Sequence, residues 1–321
     1  MDFTAIYGTF DSNMLPLKVI DVKNFVVKKF LLLNEIVIPS GTNFNECFND
    51  PDSSQRKFLQ LHVGTRKYNI IGDNYGFNIE VNLNDDQKHI KLIYYVYIDR
   101  RSNWKSIVSG QLMQLKSYGL LDEVDLYVHV TDTENIFIDV IVIIEDICKD
   151  AVISTSSKNQ YEYPGIKLLH DLVKSDPDAV YLYLHTKGMS THTQSRTKIE
   201  IALLAGTFEN WRRKIEIFKD ININKIGLFP SSGAGFFKNV FGINEGWIWF
   251  NFWYAKGSYL INCREPIVYG IRYYYEGWLT MLKSNELLLK NDCYSLFEKN
   301  NTKYFTDIEA AAEIMYLSQQ L

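Results

Sequence analysis

The 321-residue sequence predicts an α/β protein with a mainly parallel sheet, preceded by a small all-β domain. Three observations predict it. Residues 1 to about 85 hold short β-branched and aromatic runs separated by clusters of Gly, Pro, Asn and Asp. From about 90 onward, continuous apolar runs alternate with segments of helical period, the pattern of repeated strand–helix units. The polar stretch NLNDDQKH at 82–89 lies between them and reads as a linker. The expected domains are therefore 1–85 and 90–321.

In the first domain NFVVKKFLLL, EIVIP, KFLQLHV, KYNIIG and FNIEV read as strands, with no amphipathic helix among them. KLIYYVYI (91–98) is apolar throughout, as a strand buried on both faces must be. A helix from about 104 follows, with Ile107, Leu112, Leu115 and Tyr118 near helical spacing and Gly119 at its end. DLYVHVT (125–131) is a strand, and FIDVIVI (137–143) and AVIST (151–155) continue the β signal. The segment 164–174 predicts a helix, with Pro164 near its start and Ile166, Leu169 and Val173 on one face. VYLYL (180–184) is another buried strand. Such alternation predicts right-handed crossovers and a Rossmann-like sheet. One long helix is expected over 200–219, then a strand at KIGLFP (225–230) and a final helix opened by the capping-box pattern Thr306-Asp307-Ile308-Glu309.

Composition narrows the function. The chain is 46% hydrophobic and 22% charged, as ordinary globular proteins are, and its net charge of −4 offers no basic footprint for nucleic acid. Cys47, Cys148, Cys263 and Cys293 lie far apart, which argues against a disulfide framework or zinc module and for a reducing compartment. MDFTAIYGTF lacks the order of a signal peptide, and runs such as FIDVIVII and GWIWFNFWYA fall short of the roughly 20 residues of a membrane helix. A cytoplasmic protein with no membrane span is expected.

Open α/β sheets bind ligands outside the carboxyl ends of their strands, here just after Ile98, Thr131, Thr155 and Leu184. His185-Thr186-Lys187-Gly188 follows the last of these, with Arg196 and Lys198 further on. An ammonium, a glycine and hydroxyls suit a diphosphate; a solvated loop is the plain alternative. GxxxxGK[ST] is absent. His185 and His192 lack the i, i+4 spacing of a zinc hydrolase. GWIWFNFWYA crowds Trp247, Trp249, Phe250, Phe252, Trp253 and Tyr254 together. Alternation would turn one set of rings away from the core, where Trp249 and Trp253 stack on sugar faces and Asn251 meets sugar hydroxyls.

The run YEYPGIKLLHDLVKSDPDAVYLYLHTKG (161–188) resembles glycosyltransferase-like proteins of giant DNA viruses, algal viruses and some bacteria, marked by a strand ending in HTKG. The likeness continues, in order, at 94–121, NWRRKIEIF (210–218), FNFWYAKGSYL (250–260) and RYYYEGWL (272–279), and so covers about 90–285. It implies a GT-A-like nucleotide-sugar-binding domain that moves a sugar, from a UDP-linked donor by preference, to a glycan or glycoprotein acceptor, within the host cytoplasm if the protein is viral.

On that likeness Tyr97, Asp99, Asn159, Glu162, His185, Thr186, Lys187 and Gly188 bind the donor. For Asp99 the rival is an ion pair with Arg100 or Arg101, and for Glu162 it is capping of the helix that follows. Most relatives of this fold place Asp-x-Asp, holding Mn²⁺ or Mg²⁺, where this chain has HTK; Asp176 and Asp178 precede the strand instead. Either Lys187 replaces the metal's charge or a carboxylate from elsewhere completes a site. No metal ligand is assigned, and Mn²⁺ or Mg²⁺ is the cofactor left open. Glu276 takes the place of the base of an inverting transfer, with an ion pair to Arg272 as the alternative. Phe250 stands where glycine is usual. The competing function is a carbohydrate- or nucleotide-sugar-binding protein without turnover. Residues 3–80 resemble a small β domain at the C-terminus of a mitochondrial J-domain protein, through AIYG (5–8), VIDVK (19–23), IPSGTNFNECFNDP (38–51), KFLQL (57–61) and a Y-x-I-x-x-D ending at Asp73; an accessory role is expected.

Overall fold

The computed structural model describes residues 3–11, 15–32, 35–39, 41–48, 57–63, 66–71, 79–82, 90–187, 189–233, 242–284, 287, 289 and 291–321. The chain divides into two compact units, Met1–Gln87 and Lys88–Leu321.

In the first unit β1 (Phe3–Phe10), β2 (Pro16–Asp21), β5 (Phe58–Val63) and β6 (Arg66–Ile71) form an antiparallel sheet in the order β2-β1-β5-β6. A second antiparallel sheet joins β3 (Leu31–Leu32), β4 (Glu35–Ile38) and β7 (Ile79–Asn82). Two helices, α1 (Lys23–Phe30) and α2 (Phe44–Cys47), break the expected all-β reading. Val22, Val26 and Phe30, four residues apart, bury one stripe of α1 against Tyr7, Ile36 and Leu59. The i, i+4 repeat wins over the β preference of the Val-Val pair, because β propensity is mostly a measure of packing.

The second unit is a mixed α/β domain. Its seven-stranded sheet runs β10-β9-β8-β11-β13-β12-β14, with β8 (Ile90–Ile98), β9 (Asp125–Asp132), β10 (Val152–Ser156), β11 (Val180–His185), β12 (Lys225–Gly227), β13 (Trp253–Lys256) and β14 (Cys293–Ser295). β10, β9, β8 and β11 are mutually parallel, and β12 is parallel to β14; β13 alone runs antiparallel to both its neighbours. The period-2 alternation of side chains divides the core into two layers. Leu92, Tyr94, Val96, Leu182 and Leu184 face one, and Ile93, Tyr95, Tyr181 and Tyr183 face the other. Helices cover both layers, so a continuous apolar run at β8 is what burial on two faces demands.

α3 (Trp104–Ser117) opens with the Asn103 side chain accepting from Ser106 N, and α5 (Tyr163–Ser175) has Pro164 in its first turn. Two expectations are corrected. Residues 137–143 are not a strand but belong to α4 (Phe137–Ile147), which buries Val140 and Ile144 one turn apart against α3. Asp132 anchors its entry by accepting from Glu134 N at 2.7 Å and Ile136 N at 2.5 Å. The helix expected over 200–219 is two, α6 (Lys198–Phe208) and α7 (Trp211–Glu216), separated where Asn210 takes φ 53°. Asn tolerates that left-handed conformation better than other non-glycine residues, so it can break a helix without a glycine. The C-terminal helix Asp307–Gln319 has the full capping box between Thr306 and Glu309.

No helix among the described residues is long and apolar enough to cross a membrane.

Candidate functional site

β9 and β10 extend the sheet to one side of β8, and β11 lies on the other. The point where the connection reverses is a crevice between the carboxyl ends of β8 and β11. A cleft of about 570 Å³ lies there. β8 contributes Tyr95, Tyr97 and the following Asp99 and Arg101; the turn before α5 contributes Asn159, Tyr161 and Glu162; β11 and its exit contribute His185, Thr186 and Lys187. Arg272 reaches it from more than 80 residues further along. Gly188 lies outside the described residues.

Thr186 holds the two strand ends together. Its hydroxyl accepts from Tyr97 N at 3.0 Å and donates to Tyr97 O at 3.3 Å, while its own N–H donates to Tyr95 O at 2.9 Å. This buried threonine therefore positions its neighbours. Asp99 is 3% exposed and forms the ion pair that was its alternative reading: Arg101 donates from Nε at 2.9 Å, from its guanidinium at 2.7 Å and from its backbone at 2.9 Å. Those bonds hold the carboxyl down at about 2, with burial opposing. His192 Nε2 lies 3.5 Å from the same carboxylate.

Glu162 precedes α5 but caps nothing with its side chain. Instead Oε2 accepts from Tyr183 OH at 3.1 Å and from the Asn251 amide. Oε1 lies 3.9 Å from His185 Nε2. Burial raises the proton affinity of Glu162, against the pull of Lys187, Asn251, Tyr183 and Arg272. His185 is driven the other way: burial, then the Lys187 charge, lowers it to about 3, so the ring is neutral. Its Nε2 lies 3.2 Å from Phe250 O and its Nδ1 3.1 Å from Thr186 O. Lys187 is also lowered by burial, with Glu276 and Glu162 opposing, and its Nζ sits 5.3 Å from the centre of the Phe250 ring.

No protein-family model matches the chain, and no curated protein matches it.

The aromatic run does not form the alternating wall expected of it. Trp249–Asn251 is a 3-10 turn, and the strand is confined to Trp253–Lys256. Trp253 is fully buried, stacked on Tyr183 with ring centres 5.2 Å apart, and donates to Asn251 Oδ1 at 2.6 Å. Trp249 packs on Trp247 and donates to Phe305 O at 2.9 Å. Asn251 is 2% exposed, with its amide spent between Glu162 and Trp253. None of the three lines the cleft. Phe250 and Asn251 both take positive φ, 69° and 58°. Phe250 thus adopts the conformation for which glycine is the natural residue, at a cost of about 1–2 kcal/mol.

Glu276 pairs with Arg272, which donates from Nε at 3.0 Å and from its guanidinium at 2.7 Å. Glu276 is not among the cleft-lining residues, whereas Arg272 is. Arg196, read beside Lys187 as a cation near the strand end, turns inward to the buried Glu200. Arg272 is the functional candidate that sequence reasoning treated only as a partner. Its signal was the family-like RYYYEGWL itself, but no local pattern says that its side chain reaches the β11 exit.

A divalent cation does not suit this strand end. Asp176 is at the other end of β11, paired with Lys91 at 2.8 Å, and the carboxylates nearest Lys187 already face Lys187 and Arg272. Oxygen-ligand sites for Mn²⁺ or Mg²⁺ need several free carboxylate or carbonyl oxygens.

Proposed function

We propose that the chain is a glycosyltransferase of GT-A-like fold that moves a sugar from a nucleotide-diphosphate donor, UDP-linked by preference, to a hydroxyl of a glycan or glycoprotein acceptor without a divalent cation. One observation carries the reading. The cleft at the sheet's switch point sets Lys187 and Arg272 beside the largely buried carboxylate of Glu162, whose proton affinity is raised, whereas its other carboxylate, Asp99, is taken up by Arg101. Cations in a partly dry cleft stabilise a departing diphosphate, and a carboxylate of raised proton affinity is matched to taking a proton near neutrality.

In this reading Glu162 Oε1 takes the acceptor proton as the acceptor oxygen bonds to the anomeric carbon. The bond from that carbon to the phosphate oxygen breaks in the same displacement, and its electron pair leaves with the diphosphate against Lys187 and Arg272. Inversion at the anomeric carbon follows. Tyr183 and Asn251 hold the other oxygen, Oε2, which leaves Oε1 for the acceptor. Glu276, the base expected from the family likeness, takes instead the role of anchor for Arg272.

Two isosteric variants test this with a UDP-sugar panel, reading turnover and UDP affinity separately. Glu162→Gln should lower turnover about 10²–10⁴-fold while leaving UDP affinity near that of the parent. Glu276→Gln should loosen Arg272 and weaken UDP binding, with a smaller loss of maximal rate. A dead Glu276→Gln enzyme with normal nucleotide affinity returns the base to Glu276. If no nucleoside diphosphate raises the melting temperature of the parent protein, the transferase reading falls, since a ligand at 100 times its Kd adds about 2.7 kcal/mol.

A further inference from the structure

Outside the cleft, α5 and the chain that follows Leu260 bring His170, Asp171 and Glu265 together. One imidazole nitrogen and one oxygen from each carboxylate lie within 4.8 Å of one another, the only such three-residue group among the described residues. His170 is two turns along α5 from Glu162, about 12 Å by helical rise.

His170 is the unusual member. It is 1% exposed, on the helix face that also buries Ile166, Leu169 and Val173, and stands edge-on to Trp278 with ring centres 6.1 Å apart. Neither of its ring nitrogens has a hydrogen-bond partner in the protein. A buried imidazole with both nitrogens unmatched carries a desolvation penalty that an apolar residue of the same shape would not. We propose that His170, Asp171 and Glu265 form a binding site for a divalent transition metal of the zinc class, distinct from the transferase cleft.

The donor set selects the metal. One imidazole nitrogen with two carboxylate oxygens suits Zn²⁺, with water completing a tetrahedron, better than the all-oxygen preference of Mg²⁺ or Ca²⁺. Tetrahedral zinc at about 2.0–2.2 Å needs ligand atoms about 3.4 Å apart, so the group must close by up to about 1.4 Å. Burial holds His170 still, while the Asp171 and Glu265 side chains, 48% and 57% exposed, can rotate onto the ion without disturbing the core.

Two lysines compete for the same oxygens. Lys167 Nζ is 2.6 Å from each oxygen of Asp171 and 3.5 Å from Glu265, and Lys174 is 3.6 Å from Asp171 and 3.5 Å from Glu265. They hold the carboxylates together in the absence of metal. Both are partly exposed, so a metal can displace them into solvent.

The competition supplies the test. The full chain is freed of metal with a chelator, exchanged into a non-coordinating buffer and titrated with ZnCl₂ by calorimetry. One ion per chain should bind to this site. Asp171→Asn and Glu265→Gln, both at exposed positions, should each weaken that binding about tenfold or more. Lys167→Ala should strengthen it, because a competing cation has gone. Absence of saturable binding in both the parent and Lys167→Ala would overturn the proposal, leaving an ion-pair network alone. Binding that is indifferent to both carboxylate variants would overturn it equally. The readout is the heat of metal binding, so it stands whatever the nucleotide-sugar assays return.

Discussion

Phe250 shows how a single residue can oppose its own backbone. At φ 69° its Cβ is crowded, yet its ring packs edge-on to Phe229 and its carbonyl accepts from His185. Two substitutions separate strain from packing. Phe250→Ala loses the half-buried ring and keeps the strain. Phe250→Gly loses the same ring but relieves the strain. We therefore expect the glycine variant to be the more stable of the two by about 1 kcal/mol in urea unfolding, the reverse of their order in a helix. Equal stability, or a more stable alanine variant, would show that the loop relaxes away from positive φ. Near it, Asn251 also differs from its expected part. A polar residue amid rings reads as a handle for sugar, but its amide is spent on Glu162 and Trp253, and its influence on a ligand runs through Glu162.

At the scale of elements, α3 is tied to α6 through Arg196, which lies just before α6 and pairs with the buried Glu200 inside it. Arg196 donates to both oxygens of Glu200 at 2.7 and 2.6 Å, to Gly110 O at 2.7 Å and to Gln114 Oε1 at 2.5 Å. Glu200 is 1% exposed. Such a pair adds little over an apolar replacement, but losing one partner strands a charge. Arg196→Met should therefore destabilise by about 3–5 kcal/mol, while Arg196→Met with Glu200→Met should recover much of the loss. The midpoint of urea unfolding for single and double variants checks this; no recovery in the double variant would place the cost in lost packing. The loop that carries Lys187 into the cleft precedes this pair directly, so α6 is anchored where the functional loop ends. α4 is the complementary case. Ile138 and Val142 stay exposed because one stripe, Val140 and Ile144, satisfies the packing against α3.

For the whole molecule, histidines lowered by burial shape the response to acid. His185 and His129 are lowered by burial from 6.5 to about 3 and about 4. In the unfolded chain they take up protons near pH 6.5, and in the folded protein only well below that. Protons therefore favour unfolding: the contribution of these rings is complete above about pH 6.5 and is lost as pH falls towards 4 and 3. Glu162 has the opposite sign. Its raised proton affinity makes its protonated form the better tolerated one, so its burial costs stability as pH rises through the folded value. Melting temperature should fall from pH 7 to pH 4. Replacing His129, which lies outside the cleft and meets Ser154 and Ser156 at 2.8 and 3.0 Å, with Gln should flatten that fall; an unchanged slope would count against His129 as a contributor.

Much of the second unit could be read along the chain. β8 and β11 are apolar runs long enough for a strand and too short for a buried helix, the helix at 104 has a side-chain cap and the one at 164 a first-turn proline, and both have single-stripe periodicity, all of which are properties of neighbouring residues. Locating the strand ends at Ile98 and Leu184 places the residues after them over one crevice, because parallel strands share their carboxyl end. Local pattern misled where two periods overlap: 137–147 and 23–30 are rich in β-branched residues, and only the surface they pack against makes them helices. The inner arrangement of the site was beyond the sequence altogether. Asn251 meets Glu162 across 89 residues, Arg272 arrives from another segment, and His170 meets Glu265 only when the chain after Leu260 folds back onto α5. Composition and spacing specify what a side chain can do, whereas its partners are set by long-range packing, and that is a property of the tertiary structure alone.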